Sequence, residues 1–83
     1  MATCAQFQLF HTSGCHLCEE AEAMLLPMAE KLGVTVSRVD IAEEDALVEA
    51  YGMRIPVVRN VASGRELGWP FEPEQLYSFL VYP

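Results

Sequence analysis

Ser13-Gly14-Cys15-His16-Leu17-Cys18-Glu19-Glu20-Ala21 is the stretch on which the reading of this chain turns. Upstream of it, Gln6, Phe7, Gln8 and Leu9 alternate polar and apolar before Phe10, the period of a strand. His11 opens a loop in which Thr12, Ser13 and Gly14 supply turn and cap chemistry. Downstream, from Cys15 to about Lys31, apolar residues recur at Cys18, Ala21, Leu25, Met28 and Leu32, in steps of three and four that mark one buried helical face. Two thiols three residues apart therefore stand where a short strand turns into a long helix. At that place, backbone N–H groups without intrahelical partners and the positive helix end favour a thiolate at Cys15. Cys18, one turn later, is within reach to close a disulfide with it.

The remaining chain completes one pattern. Glu19, Glu20 and Glu22 suit the start of the helix, Lys31 its last turn, and Gly33 its stop. Pro27 lies inside the helical pattern and is expected to kink it, because it lacks an N–H and crowds the carbonyl of Ala23. Val34 to Ile41, rich in β-branched residues, reads as a second strand. A second helix is expected from about Glu43 to Tyr51, with Leu47, Ala50 and Tyr51 turned inward and Gly52 ending it. Ile55 to Val61 reads as a third strand opened by Ile55-Pro56. Ser63-Gly64 then turns the chain into Arg65 to Gly68, an antiparallel hairpin. Pro73 suits the first turn of a last helix, Glu74 to Val81, packing Leu76, Phe79 and Leu80 on the sheet. The order is β-α-β-α-β-β-α, and the first β-α-β requires parallel strands joined by a right-handed crossover. The fold class is α/β, a four-stranded mixed sheet flanked by three helices, in a single domain over residues 1–83.

Composition narrows the function classes. With 83 residues, 52% of them hydrophobic, the chain can bury a modest core and is not of disordered type. The apolar run Met24-Leu25-Leu26-Pro27-Met28 is too short to cross a bilayer, which needs about 20 such residues. Met1 to Phe10 has neither a basic residue nor a sustained apolar core, so no signal peptide is read, and a cytoplasmic location is the expectation. Twelve acidic against five basic residues give a formal charge of −7, which repels phosphate backbones and argues against nucleic acid as a partner. A monomer is the default. A secreted disulfide scaffold would usually carry more than three cysteines. Cys4 is the unpaired remainder: it is either incidental or joins redox chemistry, as its exposure and thiolate character decide.

The element order, with a dithiol at the start of the first helix and an X-Pro opening the third strand, resembles the thioredoxin fold at its smallest size. The chain is most similar to the short glutaredoxin-like proteins without an assigned substrate. The segments that carry the resemblance are Ser13 to Ala21, Val39-Asp40-Ile41, Tyr51-Gly52-Met53-Arg54-Ile55-Pro56-Val57 and Gly64-Arg65-Glu66-Leu67, in order along nearly the whole chain. The resemblance implies a cis peptide bond at Pro56, facing the active site. It also implies that Ile55 lends its backbone to an extended peptide or to glutathione; the bland alternative is a proline that merely starts an edge strand. Glutaredoxins usually carry a Gly-Gly pair and an acidic or serine residue after strand four, gripping the glutathione backbone. Gly68-Trp69-Pro70-Phe71-Glu72 stands there instead, bringing Trp69 close to where glutathione is held.

The chemistry expected is thiol–disulfide exchange, in which a thiolate is the nucleophile. Cys15, at the helix start and nearer solvent, is assigned as the attacker and Cys18 as the residue that resolves the mixed disulfide. His16, where related proteins often have proline or glycine, either tunes Cys15 and its substrate contacts or is a solvated residue on an exposed turn. His11, Cys15, His16 and Cys18 do not make a zinc motif, which needs four converging ligands and usually a second pair, so no metal is expected. Asp40 reads as a helix cap or a solvated residue. Trp69, Tyr51, Tyr77 and Tyr82 read as core or rim packing. The substrate-binding candidates are thus Ile55, Pro56, His16 and Trp69. The leading reading is a dithiol oxidoreductase with no bound cofactor, acting on protein disulfides or with glutathione as co-substrate. The competing readings are a redox-silent module that docks partners on the Ile55-Pro56 and Trp69 surface, and a metal-binding or redox-sensing accessory domain.

Overall fold

Residues 5–82 are described in the computed structural model of the chain. The elements follow the expected order: β1 (Gln6–His11), α1 (His16–Leu32), β2 (Thr35–Asp40), a 3-10 turn (Ile41–Glu43), α2 (Asp45–Tyr51), β3 (Val57–Asn60), β4 (Glu66–Gly68) and α3 (Pro73–Val81). The four strands form one sheet in the order β2-β1-β3-β4. β1 and β2 are parallel, from Gln6 opposite Thr35 to His11 opposite Asp40. β3 runs antiparallel to β1 with Val57 opposite Phe10, and β4 runs antiparallel to β3 with Gly68 opposite Val57. This register puts the ends of β1 and β2, the start of β3 and the end of β4 along one edge of the sheet. That edge carries the site.

Side-chain alternation divides the core between the two faces of the sheet. On one face Phe7, Leu9 and Val58 meet Ala21 and Leu25 of α1, Leu76, Phe79 and Leu80 of α3, and Phe71. On the other, Phe10 and Val57 meet Ile41 and Tyr51, with Val39, Leu47 and Ile55 half-buried around them. The first face therefore anchors α1 along the length of the sheet. The second holds α2 only near the edge where β3 begins.

Several local expectations need adjusting, each for a physical reason. α1 buries Cys18, Ala21, Leu25 and Ala29. Met28 and Leu32 are half-buried against the same cluster, because a 3.6-residue period drifts off a strict three-four stepping over four turns. Pro27 is exposed and lies inside the 17-residue helix, where the apolar pattern placed it. Gly33 ends that helix at φ 73°, its N–H reaching the carbonyls of Ala29 and Glu30. Asp40 leaves the strand to cap the 3-10 turn, accepting the Ala42 N–H at 2.9 Å, so the helical stretch after β2 is split in two. In α2, Tyr51 is buried and Leu47 half-buried, one turn apart on the side that meets the sheet, but Ala50 is exposed: it lies about 100° round the helix from Tyr51, on the flank of that contact. Tyr77 is about half exposed, at the rim, and Tyr82 is mostly exposed.

β3 is shorter than the apolar run around it. Pro56 has no N–H for the ladder, so the strand opens at Val57. At its far end the buried Asn60 turns its side chain into the hairpin, accepting the N–H groups of Ala62 at 2.9 Å and Ser63 at 3.0 Å. Gly64, at φ 77°, closes the turn by donating to the Asn60 carbonyl at 2.8 Å. α3 begins with Pro73 at its first position behind a reciprocal cap between Glu72 and Gln75. No helix among the described residues is long and apolar enough to cross a membrane. Cys4 lies outside the described residues.

Candidate functional site

β1 delivers the chain to His11 at the sheet edge, and Thr12 to Gly14 turn it into α1. Gly14 takes φ 77°, a conformation that L side chains rarely adopt, and this reverses the chain into the helix. Cys15 then stands at the N-cap with extended backbone angles, and its Sγ accepts the backbone N–H of Cys18 at 3.1 Å. Serine, threonine, aspartate or asparagine usually fills this role with a side-chain oxygen. Here a sulfur does so, where the dipole and N–H groups of a helix start favour negative charge. The Cys15 and Cys18 sulfurs are bonded, with their Cα atoms 5.2 Å apart, inside the usual range for disulfides.

The two sulfurs differ in access. Cys18 points down the inward face of α1 with Ala21 and Leu25 and is only 3% exposed. Cys15 is half-buried at the helix tip. Cys15 is therefore the accessible sulfur of the pair and Cys18 the shielded one.

Pro56 lies at the same sheet edge, next to Val57, which pairs with Phe10 one residue before the end of β1. Its bond to Ile55 is cis, as the resemblance implied. Pro56 is fully buried, and its carbonyl accepts the N–H of Trp69 at 3.1 Å, tying the segment after β4 to this loop. Ile55 is half-buried against the Phe10–Tyr51 cluster, and its N–H is donated to the Tyr51 carbonyl at 3.1 Å. Trp69 is half-buried, edge-on to Phe71 with ring centroids 5.1 Å apart. Its bond to Pro70 is a second cis bond, which the sequence reading did not anticipate. His16 is 84% exposed and its Nε2 lies 3.4 Å from the Glu20 carboxylate one turn on. Thus a backbone hydrogen bond joins Pro56 to Trp69 and another ties Ile55 to the end of α2, while His16 stands out in solvent.

The sequence reading missed a polar cluster beneath the Ile55-Pro56 loop. Tyr51 stacks on Phe10, with centroids 4.3 Å apart and planes 11° from parallel, and its hydroxyl donates to Glu66 Oε2. Arg54 donates to Glu66 Oε1 at 2.7 Å and lies 5.1 Å from the centre of the Tyr51 ring. One carboxylate from β4 therefore holds both ends of the turn that leads to Pro56. The Tyr51 hydrogen bond, more than the Arg54 charge, keeps the Glu66 carboxyl below its ordinary range; the same bond raises the Tyr51 phenol. At the edge itself, the backbone N–H of Ala42 lowers the Asp40 carboxyl, helped by the Thr12 side chain and the nearby His11. Among the described residues no group of three or more His, Cys, Asp or Glu side chains converges as a metal site would require.

Comparison with known proteins agrees with this geometry. The X-ray structure of the structural-genomics target XcR50 from X. campestris is 36% identical with a TM-score of 0.79, covering 93% of this chain and 97% of that one. The solution structure of protein Ne2328 from Nitrosomonas europaea is 25% identical with a TM-score of 0.79, covering 96% and 95%. Thioredoxin 1 from Thermosipho africanus, 11% identical with a TM-score of 0.72 over 92% and 90% of the two chains, shares the fold. No curated protein is significantly similar. The family described as Glutaredoxin-like domain (DUF836) matches residues 6–81, and with a thioredoxin-type sheet carrying the Cys15–Cys18 pair at a helix start, this chain belongs to that family.

Proposed function

We propose that the protein is a thiol–disulfide oxidoreductase in which Cys15 attacks and Cys18 resolves. The observation that carries this reading is the unequal placement of the two bonded sulfurs: Cys15 at the helix N-cap accepting an N–H, Cys18 buried one turn below. In the reduced protein, the Cys15 thiolate attacks one sulfur of a partner disulfide, forming a mixed disulfide and releasing the other partner sulfur as a thiolate. Cys18 then loses its proton and attacks Cys15 Sγ, the mixed bond breaks, and the second partner thiolate leaves. The partner disulfide has gained two electrons and the Cys15–Cys18 pair has lost them. The reverse sequence oxidises a partner dithiol, and relative reduction potentials set the direction. The partner is the disulfide of a protein or of glutathione, with Ile55, Pro56 and Trp69 bordering the place where it enters; the chemistry calls on no bound cofactor.

The test is titration of the intact protein against a glutathione redox buffer, with thiols counted at each point. One transition that exchanges two electrons supports the reading, and a pair that never changes state removes it. Cys15→Ser is expected to abolish exchange. Cys18→Ser is expected to accumulate a mixed disulfide on Cys15, visible as an added mass that reductant removes. A fully active Cys15→Ser variant would reverse the assignment of roles.

A further inference from the structure

Resting on the exchange reaction just proposed, we infer that the partner is a protein disulfide flanked by basic and apolar side chains, and that glutathione is the poorer substrate. The first observation is apolar. Leu17, between the two cysteines, and Met53, in the turn before Pro56, are large side chains left in solvent at the sulfur edge, Met53 completely so. The second is electrostatic. Glu19 and Glu20 on the first turns of α1, and Glu43, Glu44 and Asp45 where α2 begins, are all exposed at this edge.

Cationic side chains are placed or occupied elsewhere. Arg54 follows Met53 in the turn before Pro56, and its guanidinium is held 2.7 Å from Glu66. Arg38 is bonded to Glu22 at 2.7 Å. Lys31 stands in the last turn of α1 and Arg65 precedes β4, both at the opposite end of the sheet, and Arg59 of β3 carries its guanidinium beside Gly64 in the hairpin at that same end. Glutathione carries more carboxylate than ammonium groups, so it meets like charge where it would need cations. A basic protein segment meets the opposite charge, with Leu17 and Met53 to cover. The Ile55 N–H, already given to Tyr51, leaves side-chain contacts a larger share of the recognition.

The experiment follows reduction of disulfide probes by the reduced full-length protein, with a dithiol in excess to regenerate it. The probes are the small neutral 2-hydroxyethyl disulfide, oxidised glutathione, and two disulfide-bonded peptides of equal length with Leu and either Lys or Glu beside the cystine. At low ionic strength the Lys peptide is expected to react about tenfold or more faster than the Glu peptide, within the range that electrostatic steering supplies. The gap should close as salt shortens the screening length. Glutathione disulfide should react more slowly than the Lys peptide. Replacing the exposed acids together, Glu43→Gln, Glu44→Gln and Asp45→Asn, should narrow the gap and leave the neutral probe unchanged. Met53→Ser should slow both peptides and not the neutral probe. Equal rates for the two peptides, or faster reaction of glutathione disulfide, with the neutral probe still reduced, overturns this inference and leaves the exchange reaction standing. Failure to reduce even the neutral probe overturns both.

Discussion

Glu66 receives the Tyr51 hydroxyl from the far side of a three-residue strand, and so couples the end of α2 to the edge of the sheet. The ring beneath that hydroxyl is buried and stacked on Phe10, so two separable contributions meet in one side chain. Tyr51→Phe keeps the stack and removes a hydrogen bond to a charged group that Arg54 still compensates. The expected loss is about 1–2 kcal/mol. Tyr51→Ala also removes the ring from the core and should cost about 3–5 kcal/mol, the range for large aromatic truncations. Urea unfolding midpoints of the two variants check the order and the gap.

The same cluster determines how stability depends on pH at both extremes. The folded-state value of Glu66 is depressed, so its contribution is fully present above its unfolded value of about 4.3 and disappears as pH falls through the folded value. Tyr51 is raised. Its contribution is fully present below an unfolded value of about 10 and is lost as pH rises through the folded one. Glu66→Gln should therefore flatten part of the acid limb, with Asp40, also depressed, accounting for some of what remains. Tyr51→Phe should flatten the alkaline limb above about pH 10. Unfolding free energies measured in urea across pH 2–12 separate the two effects.

Gly14 sets the angle at which Cys15 enters α1. A Cβ there would touch nothing within 4 Å, so any cost of Gly14→Ala comes from the backbone at φ 77° alone. That cost is about 1–2 kcal/mol for an ordinary residue, and smaller for asparagine, which visits this conformation more readily. Gly14→Ala should lower the denaturant midpoint more than Gly14→Asn, while both still close the Cys15–Cys18 bond. Thiol counts on the oxidised variants check the second half.

These residues also show why some of the molecule was legible in the sequence and some was not. Cys15, Cys18, Ala21 and Leu25 announce themselves because a helix start and a helical face are local patterns, written within a dozen positions. The parallel pairing of β1 and β2 follows from the crossover that α1 requires. Glu66 was invisible as part of the site because its partners, Tyr51 and Arg54, are 15 and 12 residues away in sequence, and only the β3–β4 register brings them together. Ala50 misled because it flanks the Leu47–Tyr51 stripe, and only that stripe of the short α2 packs against the sheet. The second cis bond, at Trp69-Pro70, has no local signature, since the isomers before proline differ by only about 0.5–1 kcal/mol.

Reduction of the pair should change stability modestly, and the size of that change is tied to the reduction potential. The bond spans residues 15 to 18, so the loop it closes in the unfolded chain is very short. The chain-entropy relation gives about 2 kcal/mol for such a loop, near the lower end of what disulfides contribute. The reduced form recovers part of this, because the Cys18 N–H and the helix start favour a thiolate at Cys15 Sγ. The oxidised protein is thus expected to be more stable than the reduced one by no more than about 2 kcal/mol. In a thermodynamic cycle that difference equals the gap between the reduction potentials of the folded and unfolded pair, about 40 mV at most for two electrons. Urea unfolding of both redox forms, set beside a redox-buffer titration of the folded protein and of a peptide containing residues 13–21, checks both sides of the cycle. If the reduced form proves the more stable, the thiolate-favouring contacts outweigh the closed loop, and the pair acts as an oxidant toward its partners.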